Sequence, residues 1–390
     1  MNFDEIINRK NTHSAKWDMM EELYGVSKEN GIPMWVADMD FRPPKCISDS
    51  IKKMYDHGIY GYFGDDKDYL KSIHWWLKHR HNWDIDPSWV FTTHGLVNGT
   101  SMAIQTYSDP GDGVVLFTPI YYVFFRQIKE GGREVLECPL VNNNGHYELD
   151  FEHYDSLMKG NEKVLVLSSP HNPGGRVWTQ KELTEIASFA QRHDLVVVSD
   201  EIHNDLIMPG YKHIPMAIAA PQILDRLVMM TATTKTFNIA GMHTGNVIIP
   251  DPKLRAAFNK TMVSFGISPS SFGKHMITAA YSQEGADWVD NLMLYLDENQ
   301  KIFNTELGKI PGINSMQLES TYLCWVDFSN TGMSKDEFTK RVEKTAQIAA
   351  SHGHTFGAGG DSFLRFNIAT RRTLLLEALE RLNETFSDLQ

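Results

Sequence analysis

The chain has 390 residues, and its 37 basic against 49 acidic side chains give a net charge of −12. A hydrophobic fraction of 42% and a charged fraction of 22% describe a folded globular protein and exclude wholesale disorder. The acidity argues against nucleic acid or anionic membrane as partner, because a phosphate-binding surface needs an excess of Lys and Arg. Single cores stop growing near roughly 250–300 residues, so one large domain with a smaller companion is expected. Cys46, Cys138 and Cys324 are far apart and odd in number, which is no disulfide framework and suits a reducing cytosol. The first twenty residues lack an apolar secretory core, and no run approaches about 18 apolar residues. A cytoplasmic protein is expected, with no membrane span.

In chain order, short apolar runs alternate with turns and helical patterns. Val114–Phe117, Val164–Leu167, Leu195–Val198 and Leu227–Met230 are continuous and rich in β-branched residues. Such runs predict strands covered on both faces, as in a mostly parallel sheet. Thr179-Gln180-Lys181-Glu182 carries a capping-box pattern and predicts a helix start, followed by Leu183, Ile186, Ala187 and Ala190 at helical spacing. This βαβ rhythm covers about residues 90–250. Beyond it, Ser334-Lys335-Asp336-Glu337 predicts a second capping box and a helix ending near Gly353. Phe363–Ile368 alternates as a half-exposed strand would, and Thr373–Leu389 reads as a last amphipathic helix. Gly111-Asp112-Gly113 is a turn, since no dinucleotide fingerprint follows it. His74, His79, His81, His352 and His354 lack a matched ligand set. They are read as solvated or capping residues, with no metal site expected.

In open α/β sheets, ligands sit beyond the carboxyl ends of the strands. The residues that follow each apolar run are therefore the candidates for chemistry. Thr92–Thr100 contains a glycine turn opening a helix, an arrangement whose free amides suit a phosphate, although many such turns merely connect. Tyr121 could cover a planar ligand or belong to the core. His171-Asn172-Pro173-Gly174-Gly175 has the composition of a turn. Asp200 ends a strongly apolar strand, where a bare carboxylate is costly, so it should face a cation; a structural Arg or Lys would serve equally well. Lys235 also follows a strand. Together, an amine that burial can make neutral and a carboxylate facing it across a heteroaromatic ring describe a site for pyridoxal 5′-phosphate.

These residues carry a family resemblance that spans nearly the whole chain. It rests on Pro33–Phe41 (PMWVADMDF), Tyr60-Gly61-Tyr62, Thr118–Tyr121, His171–Trp178, Asp200-Glu201-Ile202-His203, Lys235–Gly241 and Arg365–Ala369. The chain resembles the fold-type I pyridoxal-phosphate enzymes of the class I/II aminotransferase superfamily, and within them the PatB/MalY group of cystathionine β-lyases, or carbon–sulfur lyases. The resemblance implies an α/β fold with a mostly parallel seven-stranded sheet between helices in a large domain at about 51–285. A smaller α+β domain would be built from 1–50 and 286–390. It further implies that Lys235 bonds covalently to the cofactor and moves the substrate α-proton. Asp200 would pair with the ring nitrogen, with Asn172 and His203 at the ring hydroxyl and Tyr121 stacked on the ring. Gly95, Leu96 and Val97 would hold the phosphate through their amides, aided by Thr234. Arg365 would bind the substrate α-carboxylate, with Trp35, Tyr121 and Asn172 lining the substrate site. Tyr62, or less favourably Tyr60, would reach the phosphate of a neighbouring subunit, making the active unit a homodimer with shared active sites.

Some positions depart from the family pattern: Thr233-Thr234 replaces a common Pro-Ser, and His243 stands where many aminotransferases place a phosphate-binding Arg. The reaction implied is α,β-elimination of L-cystathionine and related cysteine S-conjugates to a thiol, pyruvate and ammonia. The alternative is transamination by the same constellation.

Overall fold

The computed structural model describes residues 1–390. Its centre is a seven-stranded sheet of β1 (Val90–Thr93), β2 (Gly113–Thr118), β3 (Glu134–Pro139), β4 (Glu162–Ser168), β5 (Val196–Asp200), β6 (Leu227–Thr231) and β7 (Gly245–Ile248), in the spatial order β1-β7-β6-β5-β4-β2-β3. β7 runs antiparallel to both of its neighbours, and the other pairings are parallel. Continuity of the apolar runs has a simple cause here. Val115, Phe117, Leu165, Leu167, Val197 and Met229 pack into one core, while their alternates, including Val114, Leu116, Val166, Val198 and Met230, pack into another on the opposite face. Side chains alternate along a strand, so a sheet covered twice needs apolar residues at every position.

Five helices matter for the site, namely α1 (Lys67–His81), α2 (Gly95–Tyr107), α3 (Val123–Glu130), α4 (Gln180–Arg192) and the single turn α5 (Thr233–Thr236). The capping box at α4 forms in both directions. Thr179 Oγ1 accepts from the Glu182 amide (3.2 Å), and Glu182 accepts from the Thr179 amide (2.8 Å).

The C-terminal part adds α6 (Gln283–Leu307) and a four-stranded antiparallel sheet of β8 (Asn314–Ser315), β9 (Leu323–Asp327), β10 (Ser351–His352) and β11 (Phe363–Asn367), in the order β8-β9-β11-β10. It also holds α7 (Lys335–Lys340) and α8 (Arg372–Thr385). Three sequence expectations need correction here. The helix opened at Ser334 ends at Thr345, through a wider turn at Arg341–Thr345, rather than near Gly353. Its capping box is half formed: Ser334 accepts from the Glu337 amide, while the Glu337 carboxylate receives Arg341 instead (3.1 Å). β11 is not half exposed but buried at every position. Its polar members, Arg365 and Asn367, bond to interior groups rather than to water.

The N-terminal segment lies against both parts and is held by buried charge. Lys16 is wholly buried with its Nζ 2.9 Å from Asp40, which also accepts from Trp17 Nε1 (2.9 Å) and Arg9 (2.9 Å). Arg9 meanwhile grips Asp38 (2.8 Å). Burial alone would raise the Asp40 carboxyl, but Lys16, Trp17 and Arg9 outweigh it and hold it below the ordinary range. No helix is long and apolar enough to cross a membrane. Removing one partner of a buried ion pair leaves the other uncompensated. Lys16→Met is therefore expected to destabilise the protein by about 3 kcal/mol, read from urea unfolding midpoints. A change within about 0.5 kcal/mol would show that Arg9 alone neutralises Asp40.

Candidate active site

A cavity of about 690 Å³ opens where the carboxyl ends of β5 and β6 meet the N-terminal segment and β11. Lys235, Asp200, His203, Asn172, Arg365 and Tyr121 all line it, as do Gly95, Leu96, Val97, Thr234 and Trp35. Of the residues singled out in the sequence, Tyr62 is not brought there. It is fully exposed beside a separate cavity that includes Met54, Ile59 and His275, while Tyr60 packs on Phe272.

The phosphate end is built by backbone. Gly95 follows β1 with φ of +79°, a left-handed conformation open to glycine, and this turns the chain directly into α2. His94 caps the helix with no side-chain bond of its own, and its amide donates to Asn98 Oδ1 (3.2 Å). The first helical amides are thus left for an anion, at the positive end of a thirteen-residue helix.

At the other end are charges with little to balance them. Asp200 receives one amide, from Ile202 (3.1 Å), and takes part in no ion pair. Burial pushes its carboxyl up to about 7, with Glu201 adding to the rise and the Ile202 amide and Lys235 opposing it. The cation expected beside Asp200 is therefore not supplied by a bonded Arg or Lys of this chain. His203 is buried with its Nδ1 lacking any partner, and burial drives its imidazole down to about 3, so it is neutral. Lys235 Nζ donates to the Ala37 carbonyl (2.7 Å). Burial lowers its ammonium to about 8, Arg365 adding to that effect and Asp38 and Asp200 opposing it.

Arg365 is 2% exposed and has no acidic partner. Its two terminal nitrogens donate to Asn172 Oδ1 (2.9 Å), the Trp35 carbonyl (3.0 Å) and Ser351 Oγ (3.2 Å). Its Nε is buried without a partner, and the guanidinium sits 4.9 Å over the Phe356 ring. A buried cation held only by neutral groups is a receptor for an anion. Because Asn172 gives its oxygen to Arg365, its amide NH2 remains available as a donor. Burial pushes the Tyr121 hydroxyl up to about 12, leaving a neutral aromatic face.

The model of the "Aminotransferase class I and II" family matches residues 33–382. The chain belongs to that family. Among its relatives, cystathionine beta-lyase PatB of Bacillus subtilis is 37% identical over 390 residues, covering 99% of this chain and 100% of the relative. Protein MalY of Escherichia coli is 30% identical, covering 96% and 95%. Among solved structures, that of cystalysin from Treponema denticola, which contains a pyridoxal 5′-phosphate cofactor, superposes with a TM-score of 0.95 at 38% identity and covers 100% and 99% of the two chains. A pyridoxal-phosphate-bound putative aminotransferase from Clostridium difficile matches with a TM-score of 0.95 at 35% identity, covering 99% of both.

The family's cofactor is pyridoxal 5′-phosphate, and the groups this cavity leaves unsatisfied fit it. Free helical amides suit the phosphate, a lightly bonded carboxyl suits a basic ring nitrogen, and the orphan His203 Nδ1 and the Asn172 amide suit a ring oxygen. Several groups at the site were not singled out in the sequence. The Ala37 carbonyl and Ser351 are invisible to residue-type reasoning, since one is backbone and the other a common serine. Arg126 and His94 line the cavity as well, and their charge type alone was a usable signal. The histidines read as solvated are corrected in part. His81 Nε2 lies 2.9 Å from the buried Asp205, His74 pairs with Asp84, and His352 bonds Glu343.

The raised Asp200 carboxyl makes a pH prediction. An unfolded Asp loses its proton near about 3.9, whereas folded Asp200 keeps it to about 7. The folded state of the cofactor-free protein then binds the extra proton, and stability falls as pH rises through that window. Asp200→Asn should abolish this slope and be more stable than the parent above pH 7, by a few kcal/mol in order of magnitude, with the gap closing toward pH 4. Urea unfolding at stepped pH reads it, and parallel curves would contradict the assignment.

Proposed function

We propose that this protein is a pyridoxal-phosphate-dependent carbon–sulfur β-lyase. It would cleave L-cystathionine and related cysteine S-conjugates by α,β-elimination to a thiol, pyruvate and ammonia. The single observation that carries the reading is the meeting, in one cavity, of a lysine amine near neutrality, a buried carboxyl without a counter-ion and a buried guanidinium without a carboxylate. Full-length similarity to PatB, named a cystathionine beta-lyase, and to cystalysin favours elimination over transamination.

When bound, the cofactor supplies the electron sink for negative charge developing at the substrate Cα. Arg365 fixes the amino acid by its α-carboxylate, the planar fork matching that anion and replacing the bonds now made to Asn172 and Trp35. Lys235, with an amine shifted toward its neutral form, takes the Cα proton as general base. The Ala37 carbonyl then accepts a hydrogen bond from the resulting ammonium. Asp200 would be ionised opposite a cationic ring nitrogen and hold the proton there. His203 and Asn172 would hold the ring oxygen, Tyr121 would cover the ring, and Thr234, with the amides of Gly95, Leu96 and Val97, would orient the phosphate. Trp35 borders the substrate. Expulsion of the β-thiolate, which takes up a proton to become the thiol, completes the elimination, and water then hydrolyses the remaining aminoacrylate to pyruvate and ammonia.

The division into 51–285 and the combined 1–50 and 286–390 is part of the same proposal, as is a homodimer. The dimer draws support from an exposed apolar run, in which Tyr55 and Ile59 are each 73% exposed, Tyr60 is 56% exposed and Tyr62 is bare. Such a run is costly unless a second copy covers it, and Tyr62 would then meet that copy's phosphate.

Holoenzyme given L-cystathionine alone should release pyruvate and free thiol in equal amounts. A requirement for an added 2-oxo acid would sink the lyase reading and favour transamination. Lys235→Ala should lose the visible absorbance of the covalently held cofactor and about 10²–10⁴-fold or more in turnover. For the dimer, sedimentation should give twice the chain mass. Tyr62→Phe should weaken cofactor retention by about tenfold on dialysis, the value of one charge-assisted hydrogen bond; a monomer that retains full activity would refute the shared site.

A further inference from the structure

Lys235 stands on a helix of one turn. α5 has four residues, its N-cap Ala232 makes no side-chain hydrogen bond, and Thr233 Oγ1 is buried without a partner. A single turn has almost no intrinsic stability, because nucleation fixes more dihedrals than it forms hydrogen bonds. Something outside the turn must hold it.

Two anchors do so. On one side Asn238 bonds the Met39 amide (2.9 Å) and the carbonyls of Met39 and Phe41 (2.9 and 2.8 Å). On the other side Thr236, wholly buried, donates from Oγ1 to Asp205 Oδ2 at 3.0 Å. Asp205 is itself buried, five residues beyond Asp200 on the same loop. Its carboxylate also accepts from Trp76 Nε1 (3.1 and 3.2 Å), and His81 Nε2 lies 2.9 Å from Oδ1. Trp76 and His81 both belong to the last turns of α1. Burial would raise this carboxyl, yet bonds from His81 and Thr236 and the charge of Arg80 outweigh it and hold it below the ordinary range.

We propose that Asp205 is a positioning residue for the reaction, setting the distance between the Asp200–His203 loop and the lysine-bearing turn through its bond to Thr236. It does not line the active-site cavity. One rigid carboxylate ties three elements together: the loop that meets the cofactor ring at its nitrogen and oxygen, the turn that carries the amine, and the end of α1. The loop is braced against slipping by its own backbone, with the Leu206 amide bonded to His203 (2.9 Å) and the Asn204 amide to Glu201 (3.1 Å). Loss of the Thr236 bond therefore frees the turn rather than the loop. The amine then moves relative to the Cα proton while Arg365, on β11, stays in place.

The proposal rests on the lysine and carboxylate roles above, and its test separates the two. Thr236→Val removes the hydroxyl and keeps the volume; Thr236→Ser keeps the hydroxyl. In holoenzyme with L-cystathionine, Thr236→Val should lower kcat by about tenfold or more, since small misplacements of a reacting group carry losses of that size. KM should stay within about twofold, because carboxylate binding is untouched. Thr236→Ser should restore kcat. Independently of any substrate, the midpoint of the pH-dependent visible absorbance of the bound cofactor should shift by about 0.5 unit or more in Thr236→Val and return in Thr236→Ser. Asp205→Asn, which keeps the shape and loses the charge, provides the same comparison if the valine variant does not fold. Wild-type absorbance midpoint and kcat in Thr236→Val would overturn the proposal, as would failure of Thr236→Ser to restore them. If wild type does not turn over cystathionine, the lyase reading fails, while the absorbance midpoints still decide the role of Asp205.

Discussion

Charge buried without its complement is the constraint on which this molecule turns. Arg365 has no carboxylate, Asp200 has no cation within bonding distance, and His203 has a nitrogen with nothing to bond. Each would be a defect in a protein built only for stability, since unsatisfied buried polar groups are costly. The surrounding cores are extensive enough to carry them, and in the proposed function the missing partners arrive with a ligand. The shifts at Asp200 and Lys235 run in the directions that burial imposes, one carboxyl raised and one amine lowered. In the proposed function, a cationic ring nitrogen and a substrate carboxylate would reverse those penalties.

Holding such groups in place falls to a short stretch of N-terminal backbone. Between Trp35 and Phe41, successive main-chain groups are bonded by Arg365, Asn367, Lys235, Tyr322 and Asn238. On its outer side Arg9 and Lys16 clasp Asp38 and Asp40. This stretch is where the seven-stranded sheet and the C-terminal sheet are both felt, and it lines the cavity with Trp35, Val36 and Ala37.

Much of this was legible in the residues. The apolar runs gave their strands because they are short, rich in β-branched residues and bounded by turns, which sets them apart from a buried helix segment, and Thr179 and Glu182 marked a helix start through local chemistry. Lys235, Asp200, Asn172, Tyr121 and Arg365 were found from their places after strands and from family strings, and the fold does gather them. β11 was misjudged because Arg365 and Asn367 look like surface residues to a hydropathy pattern, although their polarity serves the interior. Asp205 escaped notice because it follows the mostly polar Glu201-Ile202-His203-Asn204 rather than an apolar strand like the one that Asp200 ends. Its partners Trp76, His81 and Thr236 come from 129, 124 and 31 residues away, and no local pattern encodes that. Tyr62 lies outside the reach of a single chain's geometry.

The order in which the pocket's parts occur along the chain also has a consequence for folding. Lys235 meets Ala37 across 198 residues, and Arg365 meets Trp35 across 330. Contacts so distant in sequence cost loop-closure entropy before they return any stability, so they form late, after the more local strand pairings of the central sheet. The cavity is then among the last features of the molecule to take shape.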